Sequence, residues 1–221
     1  MPSGVEHAVG EATTARAIRP GSAMATLQNV CVYCGSSDRV SQIYLDAARA
    51  MGQALARRDL TLVFGGGKTG MMGALADSAL SAGGEVIGVI PELFNTPQLV
   101  HSGLTALHVV ESMHTRKARM ASLGDGFIAL PGGFGTLEEL FEMLTWSQVG
   151  LHAKPVAVLN SSGYFDRLLE AIDYARTEGF IYDEHRSLIL CDSDPEELID
   201  LMLAFRPHDL PNRWLHRQEE G

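Results

Sequence analysis

The sequence predicts an α/β fold: a Rossmann-like, doubly wound parallel sheet of about seven strands with helices on both faces. Three observations lead there. Short apolar runs alternate about seven times with segments of helical spacing. Two strand-to-helix junctions are rich in glycine: Gly65-Gly66-Gly67-Lys68-Thr69-Gly70 and Pro131-Gly132-Gly133-Phe134-Gly135-Thr136. No linker, repeat or low-complexity tract divides the middle of the 221 residues, so one large domain is expected.

Residues 1–26 mix Gly, Ala, Thr and Pro without sustained periodicity and read as a flexible N-terminal extension. The domain is expected over 27–206. Its first strand is Asn29–Tyr33, and the segment 42–58, which carries Ile43, Leu45, Ala47, Ala50, Met51, Ala54 and Leu55, reads as a helix. A second strand (60–64) runs into the first glycine-rich turn and a helix over 71–81. The third strand covers 85–90. Residues 91–104 hold two prolines and little pattern, so they read as a long loop, a length often tied to function. A fourth strand (107–110), a helix (113–123) and the central strand (126–130) come next. The second glycine-rich turn leads into a helix over 137–149, with Leu137, Leu140, Phe141, Leu144 and Val149 close to helical spacing. Thr136 is placed as its N-cap, with Glu139 three residues on as in a capping box. A strand at 156–159, a helix over 164–177 and a strand at 188–191 follow. The last helix opens at Asp194-Pro195-Glu196-Glu197, with Asp as N-cap and Pro in the first position. From Pro207 the chain turns into a polar tail, 207–221.

Composition narrows the function. A formal charge of −10 and a pI near 5.2 argue against a nucleic-acid partner, which calls for a basic surface. No apolar run approaches the roughly 20 residues that span a bilayer. The amino terminus lacks the apolar core of a signal peptide, so a cytoplasmic location is expected. Three cysteines suit a reducing compartment. Cys31 and Cys34 form a C-x-x-C, but in or beside a strand residues three apart point to opposite faces, so they neither bridge nor share a metal. The histidines are scattered without metal-ligand spacing; no metal or cofactor is expected.

The 131–136 turn carries the clearest chemistry. Glycines let backbone amides approach a ligand where a Cβ would block it. A helix start adds unpaired N–H groups and a positive dipole end, which together suit an anion. The sharper reading is a phosphate cradle with a carboxylate beside it; the plainer one is an ordinary turn with Glu139 in a capping box. Gly65, Gly67 and Gly70 satisfy G-x-G-x-x-G, but the acidic residue expected on the next strand is displaced, and the upstream glycine of a Walker loop is missing. This turn is either a second phosphate-binding edge or only a tight turn. Arg116 and Lys117 open the helix before the central strand. Cations there oppose the helix dipole, which favours a ligand role over a merely solvated face. A carboxylate among Glu138, Glu139 and Glu142 that faces a phosphoribosyl ligand suits cleavage through an oxocarbenium-like state.

Together these residues resemble the "lonely guy" family of cytokinin-activating phosphoribohydrolases, long mislabelled as lysine decarboxylases. The resemblance rests on Gly65-Gly66-Gly67-x-x-Gly70-x-Met72-Gly73, Met113-His114-x-Arg116-Lys117 and Pro131-Gly132-Gly133-x-Gly135-Thr136-x-x-Glu139, in matching order. It implies hydrolysis of the N-glycosidic bond of adenosine 5′-monophosphates, such as AMP and N6-isopentenyl-AMP, giving free base and ribose 5-phosphate. It implies Arg116 and Glu139 as the catalytic pair. Substrate contacts would come from Lys117, Gly132, Gly133, Phe134, Gly135, Thr136, Glu138 and Thr145, and also from Gly66, Gly67 and Gln98. Related sequences often carry glutamate where Gln98 stands. A homodimer with the site near its interface is implied as well. The alternative is a protein that binds a phosphorylated ligand on this fold without cleaving it.

Overall fold

A computed structural model describes residues 27–206; the expected extension at 1–26 and tail at 207–221 lie outside them. Seven strands form one sheet in the order β4-β3-β2-β1-β5-β6-β7, and every neighbouring pair is parallel. The strands are β1 Asn29–Tyr33, β2 Thr61–Phe64, β3 Val86–Pro91, β4 Ala106–Val110, β5 Gly126–Ala129, β6 Val156–Leu159 and β7 Ile189–Asp192. Between and after them run α1 Gln42–Arg57, α2 Gly70–Ser81, α3 Met113–Leu123, α4 Phe134–Gln148, α5 Asp166–Thr177, α6 Asp183–Arg186 and α7 Pro195–Ala204.

The strand pattern explains the layering. Alternate side chains leave opposite faces of a strand, so Val30 and Val32 join a core under α1, α2 and α7, while Cys31 and Tyr33 join a second core under α3 and α4. Strands buried on both faces read as continuous apolar runs, as β1, β5 and β6 do. Cys34 packs toward the first core and Cys31 lies in the second, and both are free thiols, as their spacing requires. The chain lays down β1 to β4 outward, returns through α3 to place β5 beside β1, then builds outward the other way. The β1–β5 seam is therefore the point where strand order reverses, and ligands of such sheets bind at its carboxyl end.

Three local expectations are corrected. Helix α4 begins at Phe134, not Leu137, with Gly133 as N-cap at φ −90°, ψ −153°. Thr136 is therefore inside the first turn, and the capping box with Glu139 does not form. The segment 161–163 is a 3-10 turn with Ser162 at φ +53° and Gly163 at φ +69°, so α5 starts at Asp166. The four-residue α6 was not expected, because so short a helix has no periodicity to show. Asp194 does cap α7 as expected, accepting from the amides of Glu196 and Glu197.

Candidate active site

Two loops meet at the β1–β5 seam. The Leu130 amide donates to the Tyr33 carbonyl (2.9 Å) and the Gly35 amide to the Pro131 carbonyl (3.1 Å), so the ends of the two strands are stitched together. Over this seam opens a cavity of about 750 Å3, walled by residues 34–37 and 39–41, the 131–136 turn, and the side chains of Arg116, Glu138, Glu139 and Tyr164. That volume suits a mononucleotide-sized ligand.

The floor is a row of amides. Among the described residues no group accepts from the N–H groups of Gly133, Phe134, Gly135 or Thr136, and at a helix start these are the donors an anion can use. A Cβ on Gly133 or Gly135 would have nothing within 4 Å, so neither glycine is required by the packing of the protein itself. Gly132 differs. A Cβ there would fall 2.1 Å from Thr136 Oγ1 and 2.9 Å from the Gly35 amide nitrogen, so its glycine serves the packing of the seam.

Arg116 and Glu139 come from different helices and meet in this cavity. Helix α3 is capped by Ser112, whose Oγ accepts from the Thr115 amide (3.2 Å). Its far end is held by Lys154, which donates to the carbonyls of Ala121 (2.8 Å) and Gly124 (2.7 Å). So fixed, Arg116 anchors Nε on the Val89 carbonyl (3.1 Å) and turns Nη1 to Glu139 Oε1 (3.1 Å). The two side chains are only 14% and 11% exposed, so water screens their attraction little. Burial pushes the Glu139 carboxyl up to about 7, and the Arg116 charge offsets only part of that. A carboxylate poised near neutrality suits proton transfer. The Cys34 thiol also lines the cavity. Desolvation first, and the Glu139 charge second, push its pKa well above the ordinary thiol range, so it stays protonated and is a poor nucleophile.

Comparison with known proteins decides the family. A family model described as "Possible lysine decarboxylase" matches residues 72–202. A cytokinin riboside 5′-monophosphate phosphoribohydrolase of Rhodococcoides fascians is 51% identical over 175 residues, covering 79% of this chain and 88% of that one. This chain belongs to the lonely guy family. An Arabidopsis thaliana protein of the same name is 43% identical over 180 residues, covering 81% of this chain and 79% of its own length. Among solved structures, the molybdenum cofactor binding protein of Rippkaea orientalis aligns with a TM-score of 0.63 at 23% identity over 81% of this chain and 97% of that chain. The molybdenum cofactor carrier protein of Chlamydomonas reinhardtii gives 0.62 at 20%, over 81% and 100%. At those identities the likeness is one of fold.

The decarboxylase label finds no chemistry in this member of the lonely guy family. Its sequence holds three lysines. Lys68 donates to the Pro97 carbonyl (2.5 Å), Lys117 is held by Glu138 and by Glu142 (3.0 Å), and Lys154 caps α3. None of them lines the cavity, where a Schiff base to pyridoxal phosphate would have to form.

The residues expected from the sequence divide into two groups. Gly132, Gly133, Phe134, Gly135, Thr136, Glu138, Arg116 and Glu139 all line the cavity. Lys117, Thr145, Gly66, Gly67 and Gln98 do not. Lys117 spends its charge on Glu138 and Glu142. Thr145 lies further along α4 and donates to the Phe141 carbonyl (2.7 Å). The Gly66–Gly67 turn is closed by the 97–101 segment: the Lys68 amide donates to Leu99, the His101 amide to Gly66, and Gly67 bridges Val100. Gln98 is exposed on that same segment. The glycine that matters beside the cavity is Gly65, whose Cβ would lie 1.9 Å from Arg116 Nη2. Sequence reading also passed over Ser36, Ser37, Arg39 and Tyr164, all of which line the cavity. The Gly35-Ser36-Ser37 run after β1 is the signal that could have found the first two.

Proposed function

We propose that this protein hydrolyses the N-glycosidic bond of adenosine 5′-monophosphates, N6-modified or not, and releases the free base and ribose 5-phosphate. The observation that carries the reading is the Arg116–Glu139 pair at 3.1 Å beside four unpartnered amides in one cavity. The 51% identity to a phosphoribohydrolase supports the same activity.

In this reading the 5′-phosphate docks on the amides of residues 133–136, which carry the positive end of α4. The anomeric carbon then faces Glu139. As the bond from C1′ to the base nitrogen lengthens, the electron pair leaves with the base and positive charge builds on the ribose. The Glu139 carboxylate opposes that charge and takes a proton from water. The oxygen of that water bonds to C1′, and the proton passes on to the departing base. Arg116 holds the nucleotide and spreads the charge of the leaving base, a task its planar fork suits. The alternative of a non-cleaving carrier rests only on distant fold likeness.

We also propose a homodimer. The outward face of α4 carries Phe134, 94% exposed, and Phe141, with Val149 just past its end, and exposed Leu107 and Val109 lie on edge strand β4. Apolar side chains in such number outside the core suit a subunit contact. Analytical ultracentrifugation of the protein should give twice the chain mass. We further propose a cytoplasmic location, which a sequence with only three cysteines suits.

The test is to incubate the protein with AMP and with N6-isopentenyl-AMP and follow free base and ribose 5-phosphate. Release of both products from either nucleotide is expected. Intact nucleotide after prolonged incubation refutes hydrolysis and leaves only binding.

A further inference from the structure

We infer that Tyr164 is a positioning residue that sets the direction of the phosphate-binding amides, a role that rests on the reading of the site given above. Its hydroxyl donates to the carbonyl of Gly132 at 2.6 Å across 32 residues of chain. That carbonyl belongs to the peptide unit whose N–H is Gly133, the first of the four unpartnered donors. The described residues contain no cis peptide, and in a trans peptide the C=O and N–H point in opposite directions. Fixing the carbonyl on Tyr164 therefore aims the Gly133 N–H the other way.

This peptide needs an outside restraint. It lies between two glycines, whose backbones take up φ and ψ freely, and Gly133 has no side-chain cap. A bond received at the carbonyl also polarises the peptide and strengthens the N–H as a donor. Tyr164 itself is held firmly. The turn that presents it contains Ser162 at φ +53°, a conformation that residues with a side chain seldom adopt, followed by Gly163 at φ +69°, which glycine takes freely. Asn160 braces the turn from within, since its Oδ1 accepts from the Phe165 amide (2.7 Å) and its Nδ2 donates to Asp166 Oδ1 (2.7 Å). The Tyr164 ring is packed edge-on between Tyr44 (5.6 Å) and Phe165 (5.1 Å). A strained, braced turn at the end of β6 thus delivers one hydroxyl to one carbonyl of the ligand-binding turn. Helix formation alone does not require it.

The experiment compares wild type with Tyr164→Phe, which keeps the ring packing and removes only the hydroxyl. Binding of ribose 5-phosphate and of adenine is measured by calorimetry, together with the melting temperature. The expected result is a roughly fivefold or greater loss of ribose 5-phosphate affinity, about the weight of one hydrogen bond, with adenine binding and melting temperature held. Equal weakening of both ligands, or a lower melting temperature with ribose 5-phosphate binding intact, would make Tyr164 a packing residue and overturn the inference. No binding of ribose 5-phosphate to wild type also overturns it. If wild type binds ribose 5-phosphate but never cleaves AMP, the hydrolase reading fails alone, and the Tyr164 comparison still decides the present point.

Discussion

The two glycine-rich turns of this chain look alike in sequence and do opposite things. Each follows a buried strand, β2 or β5, and each opens a helix at the carboxyl edge of the sheet. The 131–136 turn leaves four amides without partners beside a cavity. In the 65–70 turn the backbone is taken up by the 97–101 segment, and Gly65 makes room for the Arg116 guanidinium. Glycine content marks a place where backbone and something else come close. What comes close is decided elsewhere in the chain: under the proposed function a ligand at one turn, and an arginine and a loop at the other.

Substitutions can break that contrast in graded steps. The largest effect is expected at the carboxylate shared by the ligand side. Glu139→Gln should lower kcat for AMP by about a thousandfold, within the usual range for a lost general base, while the Kd for AMP measured by calorimetry changes little. Gly65→Ala comes next. With a Cβ 1.9 Å from Arg116 Nη2 the guanidinium must leave its place, and kcat/KM should fall about a hundredfold, the scale of a misplaced catalytic group. Gly133→Ala meets nothing within 4 Å and sits at φ −90°, so the melting temperature should hold while the KM for AMP rises roughly tenfold from the crowded amide. Gly66→Ala should show the reverse. At φ +76° an alanine costs about 1 kcal/mol, visible as a lower denaturation midpoint with kcat/KM near wild type.

The pH dependence sharpens the same contrast. Burial raises the Glu139 pKa to about 7, and the proposed role needs the ionised form. Lowering pH through 7 protonates it, so kcat/KM should drop about tenfold per pH unit below that value. Glu139→Gln should lose this limb. A limb due to the second ionisation of the substrate phosphate, near pH 6, would survive in the variant and so is told apart.

Much of the architecture was legible because it is written in runs. β1, β5 and β6 are buried on both faces, so their apolar segments show without any partner being known. The start of α4 was misplaced because Gly133 and Gly135 carry weak helix propensity, about 1 kcal/mol worse than alanine within a helix. A glycine pair therefore reads as loop even where it opens a helix beside the cavity. That Arg116 and Glu139 stand at the carboxyl edge of the sheet was legible because each belongs to a compact motif near a helix start. Tyr164 was not, since only the β5–β6 pairing brings the end of β6 to Gly132. The family resemblance implies ligand contacts at Gly66 and Gly67, and neither lines the cavity. The bridge from Gly67 to Val100 that occupies this turn spans the unpatterned 91–104 loop and leaves no local trace.

The most direct measurement of the central claim is a crystal structure of Glu139→Gln soaked with AMP. The phosphate oxygens should lie within hydrogen-bond distance of the amides of residues 133–136, with C1′ facing Gln at position 139 and Arg116 alongside. Density for AMP with its phosphate on the 65–70 turn, or with C1′ turned away from position 139, would contradict the account.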